Sequence, residues 1–173
     1  MILPGQRTIY AITGASILAG ITLSIAGFRY QPVTWRLHIL GLTFAAASLT
    51  LYAPFVIAVL RGTGGRINRE FAVVAVLTYV GFSLLFTGGF KTVNGMADSR
   101  PLESAEGIVT RKSAASLQVD VLVEVKDRRG IVSVRVRPDM FQRLAVHQKS
   151  VVLLHPGALA EPWVESLQLE TQR

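Results

Sequence analysis

Between Leu37 and Leu60 the chain reads LHILGLTFAAASLTLYAPFVIAVL, 24 residues without an Asp, Glu, Lys or Arg. Two stretches of the same kind flank it, Ile9–Phe28 (IYAITGASILAGITLSIAGF) and Phe71–Phe90 (FAVVAVLTYVGFSLLFTGGF), each of 20 residues. As helices these runs are about 30–36 Å long at about 1.5 Å per residue, the thickness of a bilayer's hydrocarbon core. Charge brackets every run: Arg7 and Arg29, Arg36 and Arg61, then Arg69/Glu70 and Lys91. In lipid a single segment satisfies its own backbone only as a helix, so the reading is three transmembrane helices over about 9–28, 37–60 and 71–90. Tyr10, Tyr30 and Trp35 fall at the expected boundaries, where amphipathic rings prefer to lie.

The rest of the composition agrees. The 173 residues are 50% hydrophobic and only 17% charged, with no cysteine, and mean hydropathy is +0.43. Residues 1–90 hold six arginines and one acid, whereas residues 91–173 hold twelve basic and ten acidic residues. An apolar, acid-poor half therefore precedes a mixed-charge half. Disorder, a disulfide scaffold and a cysteine-ligated metal are excluded.

Orientation rests on the basic residues near the span ends. Arg7, Arg61, Arg66 and Arg69 fall on one side, and Arg29, Arg36, Lys91 and Arg100 on the other. The numbers tie. The crowding of three arginines into one ten-residue loop points to that side as cytoplasmic, with the C-terminal half in the periplasm of a bacterial inner membrane. A second reading makes residues 1–26 a signal peptide cleaved after Ser24-Ile25-Ala26, and it leaves the C-terminal half on the same side.

Ser16, Gly20 and Ser24 repeat at four-residue spacing in the first span, which suits close packing of helices and hydroxyl hydrogen bonds across the contact. Ala46, Thr50, Pro54 and Ala58 form a comparable stripe in the second. The spans carry no Asp, Glu, Lys, Arg or His away from their ends, which argues against a pump or coupled transporter. Arg61-Gly62-Thr63-Gly64-Gly65-Arg66 has the glycines of a phosphate cradle but no Lys-Ser/Thr and no preceding strand. Arg61, Arg66 and Arg69 are therefore read as contacts to anionic lipid headgroups.

Residues 91–105 read as a linker, with Asn94-Gly95 and Pro101 as breakers. Beyond them the period changes to two. Leu117, Val119, Val121, Val123 and Val125 alternate with mostly polar neighbours, and after a turn ending at Gly130 so do Val132, Val134 and Val136, giving a β-hairpin. Gly107–Lys112, Val151–Leu154 and Trp163–Leu169 supply three more strands. Asp139-Met140-Phe141-Gln142 reads as a capping box opening a short helix, with Phe141 as its core anchor. Three strands, a helix and two strands in 106–173 make a small all-β domain, OB-like or SH3-like. Membrane spans followed by such a barrel resemble the NfeD-like membrane proteins and other bacterial inner-membrane families. The likeness lies in the architecture and implies no particular functional residues.

Candidate chemistry is sparse. A basic face from Arg111, Lys112, Lys126, Arg128, Arg129, Arg135 and Arg137 lacks stacking platforms, because residues 91–173 contain only Phe141 and Trp163 as aromatics. Nucleic acid is therefore not expected as a partner. His147 and His155 have no further ligands at a metal-binding spacing, His38 belongs at a membrane boundary, and Asp120 and Glu124 belong on a solvated strand face. No catalytic, cofactor or metal site is expected. The expected function is that of a non-enzymatic accessory or assembly subunit, anchored among membrane lipids, whose β domain meets a protein partner or a second copy. The alternative is an oligomeric channel or transporter subunit with the Ser16/Gly20/Ser24 face lining its path.

Overall fold

The structure is a computed structural model that describes residues 4–62, 67–113, 121–127 and 130–169, the side chains of 4–6, 67–70, 121–127 and 130 excepted. The described chain divides into two units. One holds residues up to Arg29 together with Trp35–Val93, and the other holds Tyr30–Thr34 together with Asn94 onward.

Three helices make the first unit: α1 (Pro4–Ala26, extended by a 3-10 turn at Gly27–Arg29), α2 (Arg36–Gly62) and α3 (Ile67–Met96). All three are long and apolar enough to cross a membrane, over Arg7–Arg29, Arg36–Gly62 and Phe71–Met96. Their outer faces carry Leu18, Ile25, Ile39, Leu51 and Val76, each more than 60% exposed. Large side chains so displayed on three successive helices suit hydrocarbon rather than water. Inside, α1 and α3 run parallel. Thr13 meets Thr78, Ser16 meets Gly81, Gly20 meets Leu84 and Leu85, and Ser24 meets Gly88. Antiparallel α2 brings Gly41 to Thr87 and Tyr52 to Phe82.

Two kinds of contact hold these helices. Apolar packing centres on Ile9, Val56, Leu60 and Val74, with Phe82, Phe86 and Phe90 lined up at helical spacing on α3 and Phe44 of α2 lying 5.4–5.8 Å from the last two rings. A buried hydroxyl set adds direction. The Thr13 and Thr78 hydroxyls are hydrogen-bonded at 2.9 Å, Ser16 Oγ donates to the Thr13 carbonyl at 2.8 Å, and the Tyr52 hydroxyl reaches the Ile9 carbonyl at 3.5 Å. Lipid tails give apolar helices little reason to prefer each other over solvent, so close backbone approach and such hydrogen bonds fix the arrangement.

The second unit is a curled antiparallel sheet in the order β1-β6-β5-β2-β3-β4. Its strands are β1 (Gln31–Pro32), β2 (Glu103–Ser113), β3 (Val121–Asp127), β4 (Gly130–Val136), β5 (Lys149–His155) and β6 (Trp163–Leu169), with the short helix α4 (Pro138–Arg143) between β4 and β5. β5 returns beside β2, and β5-β2-β3-β4 is Greek-key order. Val132, Val134 and Val136 of β4, Val152 and Leu154 of β5, and Val164 and Leu167 of β6 form the core with Val109 and Leu144. Alternation along β4 and β5 sends these side chains inward, and an extra residue in β6 puts Val164 and Leu167 on the same face. Two bulges bend the sheet: Thr110 is the extra residue of β2 opposite β3, and Glu165 the extra residue of β6 opposite β5. The curl carries β4 back towards β1, where the Arg135 amide donates to Gln31 Oε1 at 3.2 Å.

Several expectations change. Residues 91–105 are mostly not a linker, because α3 continues to Met96 and β2 starts at Glu103. Asn94-Gly95 does not break the helix: the Asn94 side chain caps a neighbouring loop, and Gly95 passes closely under the Tyr30 ring. Tyr30 is buried in the β unit, whereas Tyr10 and Trp35 are exposed. The first strand of the C-terminal half is Glu103–Ser113, longer than Gly107–Lys112, and the next is described from Val121, with 114–120 outside the described residues. The capping box at Asp139 does not form. Pro138, whose fixed φ suits the first helical position, starts α4 two residues earlier, and Asp139 pairs with Arg137 at 3.4 Å instead. A sixth strand, β1, comes from the segment between α1 and α2.

Candidate functional site

The most concentrated polar chemistry among the described residues lies in the β unit, where Asn94–Arg100 meets the loop from Pro156 to Pro162. Positive φ at Gly157 (75°) and Ala160 (57°) folds that loop tightly. A Cβ on Gly157 would strike the Glu161 carbonyl and the Asn94 amide, so the turn requires glycine. Asn94 is 1% exposed and holds the loop by three hydrogen bonds. Its Nδ2 donates to the Glu161 carbonyl at 2.8 Å, its Oδ1 accepts the Leu159 amide at 2.9 Å, and its carbonyl accepts the Ala158 amide at 2.9 Å. On the far side, buried Glu161 accepts the Thr34 amide at 2.8 Å, and the Val33 amide donates to the Pro162 carbonyl.

Asp98, 1% exposed at its side chain, is the second anchor. Its Oδ2 accepts the Gly157 amide at 2.7 Å, and its Oδ1 accepts the Arg100 amide and guanidinium, both at 3.2 Å. The Arg100 guanidinium also donates to the Gly157 carbonyl. Burial by itself would raise the Asp98 carboxyl, but the Gly157 and Arg100 donors and the arginine's charge outweigh it and hold the group below the ordinary carboxylate range.

His155 stands beside this anchor. Its ring stacks on the Trp163 indole (centroids 4.2 Å apart, planes at 10°), and Trp163 in turn meets Tyr30 edge-on at 5.0 Å. Nε2 of His155 contacts the Glu165 carboxylate, and buried Nδ1 lies 3.7 Å from Asp98 Oδ2. Glu165 reaches the ring because it is the bulged residue of β6, re-aimed off the regular pleat. The outcome is an imidazole between two carboxylates on an aromatic shelf. This arrangement can hold or release a proton and can brace the loop. No group of three or more His, Asp and Glu among the described residues is placed to hold a metal ion.

The residues singled out from the sequence lie elsewhere. Ser16, Gly20 and Ser24 face α3 within the chain, and Ser24 Oγ donates to the Leu84 carbonyl at 3.3 Å. Ala46, Thr50, Pro54 and Ala58 lie on an exposed face of α2. Arg61 is exposed in the last turn of α2, Arg69 is in the first turns of α3 with its side chain outside the described residues, and Arg66 is outside them altogether. His147 is exposed with φ 68° and is not near a second ligand set, and His38 packs against Trp35 at 4.9 Å. Lys112 does not join an open basic face: its ammonium donates to the Leu144 carbonyl at 2.6 Å and sits 4.3 Å over the Phe141 ring. Asp120 lies outside the described residues, as does the side chain of Glu124.

Sequence reading missed Asn94, Asp98, Glu161 and Glu165. Three of these lie in breaker-rich stretches that look like solvated loop, and the bulge that redirects Glu165 leaves no periodic trace. No protein-family model, curated protein or solved structure matches this chain.

Proposed function

We propose that the protein is an integral membrane subunit whose β unit binds another protein, in an accessory or assembly role without catalysis of its own. One observation carries the reading: the sheet takes β1 from the segment between the first two membrane-length helices, so the chain passes between the two units three times. A domain tied in this way is suited to keeping a β surface tethered to the membrane helices. The Greek-key order, with α4 between the third and fourth strands of the C-terminal half, favours an OB-like over an SH3-like barrel. Arg61, Arg66 and Arg69 serve as headgroup contacts on the cytoplasmic side, and the β unit faces the periplasm of a bacterial inner membrane. Packing of Ser16, Gly20 and Ser24 onto α3 favours this reading over an oligomeric channel lined by that face, and supports keeping α1 in the mature chain rather than cleaving it as a signal peptide.

The test is capture from detergent through a C-terminal tag, combined with a reporter fused at Arg173. Co-purification of a defined protein partner or a homo-oligomer, with the reporter active only outside the cytoplasm, is expected. A solitary monomer under gentle extraction, or conductance in proteoliposomes, would overturn the reading.

A further inference from the structure

We propose that His155 is a proton-gated latch that fastens the Pro156–Pro162 loop to the segment leaving α3. The argument begins with donors and acceptors. An ionised carboxylate only accepts hydrogen bonds, so the Nε2 that contacts Glu165 must carry a hydrogen. In a neutral imidazole the other nitrogen then bears a lone pair. Here that nitrogen, Nδ1, is buried without a hydrogen-bond partner among the described residues and lies 3.7 Å from a second carboxylate oxygen, Asp98 Oδ2. The neutral ring thus sets a lone pair against an anion, whereas the imidazolium gives each carboxylate an N–H.

Charge counting agrees. The groups facing the ring are Asp98 and Arg100 from the segment after α3 and Glu165 from β6, with uncharged Trp163 beneath it. Glu103 on β2 pairs with Leu154, one residue before the histidine, and has interactions of its own. With a neutral ring, Asp98, Glu165 and Arg100 sum to −1, and the imidazolium brings them to zero. Asp98 Oδ2 is also the acceptor for the Gly157 amide, so the histidine acts on the oxygen that pins the loop. Protonation closes the latch; loss of the proton sets a lone pair beside the Asp98 oxygen that accepts the Gly157 amide and loosens that end of the loop, while the Asn94, Arg100 and Thr34 contacts to it persist.

Hydrogen exchange of the full chain in detergent micelles, at pH 5 and pH 8.5, tests this. The two values bracket the range of about pH 5–8 in which imidazoles ordinarily change charge. After correction for intrinsic rates, protection of the Gly157, Ala158 and Leu159 amides should be about tenfold higher at pH 5, while Val152 in β5 should not change. His155→Gln should abolish the difference. Glu165→Gln, which leaves the ring on Trp163, should shrink it at least threefold, and this variant decides the matter if His155→Gln does not fold. Equal loop protection at both pH values in the wild type, or an undiminished difference in either variant, overturns the latch.

Discussion

Gly88 offers the sharpest test of how the helices are held. A Cβ there would lie 2.6 Å from the Ser24 nitrogen, 2.7 Å from the Leu23 carbonyl carbon and 2.9 Å from the Ser24 Cα. All three are backbone atoms, so no rotamer change makes room. Restoring ordinary contact at about 3.5 Å requires α1 and α3 to part by roughly 0.6–0.9 Å, and a gap of that size forfeits a quarter to a half of each neighbouring dispersion contact. Overpacking of this kind costs about 1–3 kcal/mol. The Ser24 and Thr92 hydroxyls, each donating across the same contact at 3.3 Å, stretch as well, at about 0.6 kcal/mol apiece. Gly88→Ala should therefore destabilise the helical unit by about 2–4 kcal/mol. Gly89→Ala is the internal control, because its Cβ meets only Leu23 Cδ1, at 3.7 Å, and alanine is the better helix former by roughly 0.5–1 kcal/mol. Unfolding in mixed micelles with rising SDS, followed by far-UV circular dichroism, gives both values. If the two variants fall within about 0.5 kcal/mol of each other, close approach at Gly88 is not what joins the helices.

Three further outcomes follow from the same structure. Asn94→Ala removes two side-chain hydrogen bonds and strands the Leu159 amide and Glu161 carbonyl, so thermal unfolding of the β unit should lose about 1–3 kcal/mol per buried group left unpaired and not rehydrated. Asp98 is held below the ordinary carboxylate range, so the unfolded chain takes up the proton first. Its contribution is complete above about pH 4 and is lost as pH falls towards the folded value; Asp98→Asn should be less stable at pH 7 and flatter across the acid limb of a stability–pH curve. Thr13→Val breaks the hydroxyl pair with Thr78 and should cost about 0.6 kcal/mol, no more than about 1.7, in the SDS titration.

Much of the architecture is legible in the residues alone. Three long apolar runs can only be helices if they lie in lipid, because each must satisfy its own backbone, and strict alternation over Val132–Val136 marks a strand whose one face is buried. Those signals are local and periodic, and so they survive without coordinates. The Ser16–Gly20–Ser24 spacing likewise announces a packing face, but spacing carries no information about which helix supplies the other side. Only the folded chain sets Gly81 and Gly88 against it.

The remainder is decided by tertiary structure. Gln31–Pro32 is two residues long, too short for any period, and becomes a strand only because β6 offers a free edge beside it. Asn94, Asp98, His155 and Glu165 are separated by up to 71 positions, the first two in a stretch that reads as breakers and linker and the last in one that reads as regular strand. A bulge at one residue of β6 and a left-handed turn at Gly157 bring them together. Sequence determines which segments bury apolar surface, because burial repeats with the geometry of helix and strand. Which polar groups then meet depends on the closure of the sheet, a long-range property that no window of residues contains.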